Sequence, residues 1–273
     1  MKAISLIIYS LLLIILPVKE PNKGDKLTLN LRNQINNGDI WSPHNNQVKW
    51  KINETAIIIC DMWDKHWCEG ANIRVGEMVN KMNDVVKAAR EKGVVIIHSP
   101  SGTIDHYKDY PQRKKMMESP GIAASKSIAG WYYIEKNHEG DLPIDDSDGG
   151  CDTPSSKCVD CAVWTKQIEA IEIFNEDGIS DDGGEINNYF AANGIKNVII
   201  MGVHANMCVL GRPFGIRSQV KLGRNVVLVR DLTDTMYNPK MKPHVSHDEG
   251  TALVIEHIEK FWCPSIDSSD LLD

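Results

Sequence analysis

A chain of 273 residues, 42% hydrophobic and 25% charged, has the size and composition of one large globular domain with a substantial core, which excludes a disordered chain. Its formal net charge is -7 and no basic run offsets it, which argues against a phosphate-tracking surface and so against nucleic acid as a partner.

The chain opens with MKAISLIIYSLLLIILPVKE. Lys2 is followed by an apolar stretch from Ile4 to Val18, broken only by Tyr9 and Ser10; this is the length of a signal-peptide core and is short for a membrane span. No small-x-small cleavage site stands out after it. Residues 1–22 therefore read as a signal peptide or an uncleaved N-terminal membrane anchor, and the protein as exported, periplasmic or secreted. Residues 23–51 are polar, rich in Asn and Lys, and without sustained periodicity; they read as a lead-in. The folded domain spans 52–263, with a tail at 264–273.

Thr55–Cys60, TAIIIC, is a short continuous apolar run of the kind buried on both faces of a parallel sheet. It ends at Asp61, where the open α/β rule puts ligand chemistry, outside the carboxyl end of a strand; a turn or cap residue is the other reading. Ile73–Lys92 carries a helical stripe of Val75, Met78, Val79, Met82, Val85, Val86 and Ala89 and stops at Gly93. A second strand, Val94–Ile97, ends at His98. Residues 100–165 lose the pattern. They hold a basic patch at Arg113–Lys115, the aromatic group Trp131–Tyr133 and an acidic run from Asp145 to Asp152, and read as a long insertion over one end of the sheet. Asp145, Asp146 and Asp148 match only the start of a calcium-binding loop, so a solvated acidic loop is expected.

Ile168–Phe174 reads as a third strand, Glu185–Ala192 as a short helix, Val198–Val203 as the central strand, Asn225–Val229 as another strand and Thr251–Phe261 as another helix. Strands alternating with helices predict a doubly wound, three-layer α/β/α sandwich with a mostly parallel central sheet. Of the seven cysteines, Cys151, Cys158 and Cys161 crowd one polar stretch; a disulfide suits them better than zinc, because a second ligand cluster of matching spacing is missing. An odd count leaves at least one free thiol. No G-x-G-x-x-G follows a strand, and no phosphate loop is present.

The stretch Asn197–Arg217, NVIIMGVHANMCVLGRPFGIR, organises the rest. It reads as a buried strand, a turn at Gly202 and a helix start carrying Cys208, where unpaired N–H groups and the helix dipole favour a thiolate. Cys208 is the candidate nucleophile; the alternative is a cysteine that fills core space.

Asp61 and Cys208 together resemble the isochorismatase-like cysteine hydrolases, the superfamily that includes nicotinamidases and N-carbamoyl amidohydrolases. The likeness rests on IIICDMWDKHWC around Asp61, on GVHANMCV at Gly202–Val209, and on NVVLVRDLTD at Asn225–Asp234. It covers about residues 52–262 apart from much of the insertion. It implies that Asp61 is a general base, that Cys208 attacks an amide carbonyl to give an acyl-enzyme, and that the backbone N–H groups of His204 and Cys208 hold the oxyanion. It also implies a strained or cis Val203–His204 peptide.

The family's third residue, a lysine just after the third strand, falls here on Asn175–Asp177, where no lysine stands. Lys166, before that strand, is the candidate substitute, with a solvated surface charge as its other reading; a carboxylate such as Glu176 in the slot would raise the thiol pKa. Arg212, one helical turn past Cys208, and Arg230 are other sources of positive charge. His98, Asp105 and His106 do not match the Asp-x-His pattern of metal-binding members, so no metal and no cofactor are expected. Trp63, Trp67 and Trp131 are candidate pocket linings. The implied activity is hydrolysis of a C–N bond in a small amide or ureide, by a homo-oligomer acting on a small-molecule substrate. The alternative is a binding or structural protein that lost hydrolysis with the lysine.

Overall fold

The computed structural model describes residues 26–38, 40–122, 128, 130–158 and 161–272; the stretch read as a signal peptide or anchor, residues 1–22, lies outside them. In chain order the elements are β1 (Lys26–Asn36), β2 (Trp41–Lys51), β3 (Thr55–Cys60), α1 (Glu69–Lys92), β4 (Val95–Ser99), α2 (Pro111–Met117), α3 (Lys136–Glu139), β5 (Gly178–Ile179), α4 (Gly183–Ala192), β6 (Asn197–Val203), α5 (Ile216–Lys221), β7 (Asn225–Asp234), α6 (His247–Phe261) and β8 (Ser265–Ile266). The strands form one sheet in the order β2-β1-β8-β7-β6-β3-β4-β5. From β8 to β5 every pairing is parallel, and β1 and β2 add an antiparallel edge.

The core follows from strand periodicity. Successive side chains leave a strand on opposite faces. Ala56, Ile58 and Cys60 thus join Val198 and Ile200 in one core layer beneath α4 and α6, through Ile186, Phe190, Val254 and Ile258. Ile57 and Ile59 join Ile199, Met201 and Val203 in the opposite layer beneath α1, whose Val75, Val79, Met82, Val86 and Ala89 supply the expected stripe. Helix α1 stops at Gly93 in the left-handed conformation, φ 101°. Helix α6 begins earlier than expected, because Ser246 and Glu249 form a reciprocal capping box. The doubly wound α/β/α sandwich is the fold seen.

Four expectations need correction. Residues 26–51 are not an unstructured lead-in but an eleven-rung hairpin. Leu27, Leu29 and Leu31 alternate inward in β1, a short signal hidden among polar residues, while β2 is a largely exposed edge. The tail is also part of the sheet: Ser265–Ile266 pairs with β7, and Ile266 and Leu271 are fully buried. Ile168–Phe174 is not a strand. Its apolar side chains pack locally instead, Ile171 in the α1 layer and Phe174 under the Arg90 guanidinium, 4.2 Å from its ring centroid. The third strand is the two-residue β5, too short to leave a periodic trace. Finally, the acidic loop is not simply solvated, since Asp146 accepts from Asn206 and Asp148 from Asn238, each at 2.8 Å.

The insertion is fastened to the domain at several further points. A disulfide joins Cys151 to Cys68 at the N-terminus of α1, and Cys158 pairs with Cys161; Cys60, Cys208 and Cys263 are free. Further along, Glu139 of α3 is buried against Arg217 of α5 and His257 of α6.

Candidate active site

Three strand ends converge to make the site. β3 delivers Asp61, which takes a left-handed conformation, φ 48°, that a non-glycine residue adopts only when its surroundings hold it there. One cause is visible: Asp61 N–H donates to Ser99 O at 3.1 Å, and the Ser101 N–H donates back to Asp61 Oδ1 at 2.7 Å. The carboxylate is thereby fixed between the ends of β3 and β4. Beside it, Gly202 in β6 has φ 109°, and a Cβ there would overlap the Cys60 carbonyl. Only glycine lets the end of β6 press this closely on the end of β3.

Past β6 the Val203–His204 peptide is cis, as the resemblance implies. The chain then makes one π-helical turn, Ala205–Val209, in which Val209 N–H donates to His204 O at 3.1 Å. This turn carries Cys208 back toward the Asp61 carboxylate, and the next turn brings Arg212 over both. Arg212 Nε donates to Asp61 Oδ2 at 3.1 Å, and its guanidinium lies 5.6 Å from the Trp131 ring centroid. The Cys208 thiol interacts with both charged groups.

The electrostatics differ from the sequence expectation. Cys208 is 9% exposed, and burial, with the adjacent Asp61 charge second, pushes its thiol well up; Arg212 offsets only part of this. The resting cysteine is therefore a thiol, not the dipole-stabilised thiolate that a longer helix start would favour, because a single π turn supplies little dipole. Asp61 is itself raised by burial, held down in part by Arg212 and Ser101. On Arg212 burial works against the charge, but the Asp61 carboxylate outweighs it, so the guanidinium stays charged. The arrangement is a thiol beside a carboxylate of raised proton affinity, with a fixed cation spanning the two.

Of the other candidates, Trp63 stacks on Trp164 at 4.1 Å and 8°, and its Nε1 donates to Ser101 O at 3.0 Å, so it buttresses the loop that holds Asp61. Trp131 covers Gly211 and Arg212 and is 38% exposed. Trp67 sits beside His66, 5.6 Å between ring centroids, and packs near the Cys68–Cys151 bridge. His204 lies buried at the head of the Cys208 turn.

Lys166 does not join Asp61 and Cys208. Its Nζ pairs with Glu169, and the side chain lines a separate surface groove with His106, Tyr107 and Tyr110. The lysine slot is likewise clear of the thiol: Glu176 is exposed, and Asp177 is spent in a buried pair with Arg90 and His98. After the true third strand come Ser180, Asp181 and Asp182, none of them cationic. Arg230 pairs with Asp267 instead.

Sequence reasoning missed Ser101, His66 and Trp164. His66 stands inside the Asp61 motif, but the positions of Ser101 and Trp164 depend on how the insertion folds back. Among the described residues, Cys68, Cys151 and Asp152 bring metal-type donor atoms within 4.8 Å of one another, but the two sulfurs are joined in the disulfide. His98 is taken up by Gln167 and Asp177 at 2.9 and 3.1 Å.

Solved structures share this architecture. A cysteine hydrolase from Pseudomonas syringae pv. phaseolicola superposes with a TM-score of 0.50 at 16% identity, over 81% of this chain and 92% of that one. An isochorismatase-like hydrolase from Alkaliphilus metalliredigens gives 0.46 at 13% identity, over 82% and 98%. An isochorismatase family protein from Burkholderia thailandensis gives 0.44 at 15%, over 81% and 96%. No family model and no curated protein matches the sequence. The likeness is one of fold, and on it this chain has the α/β fold of the isochorismatase-like cysteine hydrolases.

Proposed function

We propose that this protein is a cysteine-dependent hydrolase that cleaves a C–N bond in a small amide or ureide through an acyl-enzyme. The observation that carries the reading is the convergence of Asp61, Cys208 and Arg212 at the carboxyl ends of β3 and β6. Asp61 takes the thiol proton as the sulfur attacks the carbonyl carbon. The raised proton affinity of the carboxylate suits that task, since a base works best when its pKa approaches the working pH. The same proton then passes to the departing nitrogen, and Asp61 activates the water that clears the acyl group. Arg212 takes the part the family gives to its lysine: it keeps the Asp61 carboxylate ionised at rest and offsets negative charge as the thiol ionises. The backbone N–H groups of His204 and Cys208 are the proposed oxyanion donors. Two disulfides favour an oxidising compartment, in line with the export reading.

The test is ammonia release from a panel of small primary amides and ureides. The wild-type chain should turn over at least one of them, and Cys208→Ala should lower that rate by about 10⁵-fold or more. Full turnover by Cys208→Ala would refute the reading. The absence of a lysine after β5 favours a second reading, a binding protein without hydrolysis; it expects ligand binding by the wild type with no turnover across the panel.

A further inference from the structure

Arg212 is held on Asp61 by little of its own. Its Nε makes one hydrogen bond to the carboxylate, at 3.1 Å, whereas Arg217 grips Glu139 through both Nε and Nη2, at 2.9 and 2.7 Å. The Arg212 side chain is also 28% exposed, while that of Asp61 is fully buried. A long side chain with a single-point contact and water beside it has several rotamers within reach, and holding one of them costs entropy. A further contact is needed to fix the guanidinium over the carboxylate.

The insertion supplies one. Trp131 sets its ring centroid 5.6 Å from the guanidinium carbon, within the range in which an aromatic face attracts a cation. The ring reaches this position because residue 211 is glycine: a Cβ there would come within 2.5 Å of the indole Cε2 and 2.6 Å of Cζ2. The backbone next to the ring is pinned on both sides. Tyr132 N–H donates to Gly211 O at 2.7 Å, and Tyr132 O accepts from Arg217 Nη1 at 3.1 Å, the same arginine that grips Glu139. A main-chain bond, a close ring contact and a cation–π contact thus all fall on Gly211 and Arg212, just after the Cys208 turn.

We propose that Trp131 is a positioning residue, which holds the Arg212 guanidinium on the Asp61 carboxylate so that the insertion, and not the sandwich alone, sets the charge beside Cys208. This rests on the hydrolase reading only for the reaction that Arg212 serves; what it says of Asp61 is read without turnover. The full chain is made with isotope-labelled aspartate, the Asp61 carboxyl signal is identified by its loss in Asp61→Asn, and its pKa is followed by NMR titration. The Cys60 and Cys208 thiols beside it are raised by burial and do not titrate over the range read. Trp131→Ala should raise the Asp61 pKa by about half a pH unit or more, because Arg212, whose charge holds it down, is released. Trp131→Phe, which keeps an aromatic face, should restore most of the wild-type value. Gly211→Ala, which displaces the indole without removing it, should raise the pKa as Trp131→Ala does. In Arg212→Met the pKa is already raised, and adding Trp131→Ala should move it no further. A ring that only covered the site would act with the opposite sign, since its loss admits water and lowers the pKa of a buried carboxylate. A fall or an unchanged value in Trp131→Ala, or an equal rise in the Arg212→Met background, would overturn the proposal; circular dichroism checks that each variant is folded. The expected rise in a chain that releases no ammonia from any amide would count against hydrolysis alone.

Discussion

Two buried arginine–carboxylate pairs in this molecule are built from the same groups and end in opposite states. Glu139 accepts from Arg217 Nε and Nη2 at 2.9 and 2.7 Å, from His257 at 3.0 Å and from Trp262 at 2.8 Å, with the Glu135 N–H adding another donor at 2.9 Å. Burial alone would raise its pKa, but these donors, led by His257 and Arg217, bring it down to about 2. Asp61 is buried too and accepts from the Ser101 N–H, Arg212 Nε and the Cys208 thiol, and it remains raised. Burial raises both carboxylates; the fuller set of donors on Glu139 overcomes it, whereas on the more enclosed Asp61 the donors offset it only in part. A saturated carboxylate is an anchor, here tying α3 of the insertion to α5 and α6. An under-satisfied one beside a thiol is a base.

The predictions follow that contrast. The largest effect is expected at the under-satisfied pair: Asp61→Asn removes the base and should lower kcat/KM by about 10²–10⁴-fold, with the fold intact by circular dichroism. A loss below tenfold would place the base elsewhere. Next comes the saturated pair. Glu139→Gln leaves Arg217 buried and unmatched and should cost about 3–5 kcal/mol in denaturant unfolding, while activity per folded molecule is retained. The pH dependence has a definite sign. The folded-state pKa of Glu139 is depressed from the usual 4.5 to about 2, so its contribution to stability is present above 4.5 and is lost as the pH falls toward 2. The stability gap between wild type and Glu139→Gln should therefore close over that window, and a gap that stays constant would contradict the assignment.

Smaller effects sharpen the comparison. Arg212→Met should lower kcat/KM on the order of 100-fold at neutral pH, and Arg212→Lys should recover part of it. Because Arg212 holds the Asp61 pKa down, the acid limb of the pH–rate profile should move to higher pH in Arg212→Met. The smallest effect is at Lys166, whose ammonium faces Glu169: Lys166→Met should leave kcat/KM within about twofold. A large loss there would mean that the resting arrangement differs from the working one.

How much of this was legible in the sequence depends on how local the causes are. β3, α1, β4 and β6 announce themselves through apolar runs and a 3.6-residue stripe, and Asp61 and Cys208 could be named from the strand ends they follow. β5 could not be found, since two residues carry no period, and Ile168–Phe174 imitated the strand it is not. The hairpin at 26–51 was hidden because β2 is an edge with little to bury, and only Leu27, Leu29 and Leu31 mark its partner. Arg212 was visible as a helical neighbour of Cys208, but not that it would bridge to Asp61, 151 residues away in the chain. The state of the thiol was misjudged for a physical reason: the helix-dipole argument assumes a proper helix and an exposed sulfur, and this sulfur sits in a single π turn within the core.

The central claim is that the carboxylate of Asp61, and not a preformed thiolate, makes Cys208 react. The pH dependence of Cys208 alkylation by iodoacetamide, read at that residue by peptide mass spectrometry, tests it most directly. The account predicts a rate that rises through an inflection above the ordinary aspartate pKa of about 3.9, then runs flat across neutral pH, with the inflection lost in Asp61→Asn. A rate that climbs about tenfold per pH unit through neutrality, as for an unassisted thiol, and is unchanged by Asp61→Asn would contradict it.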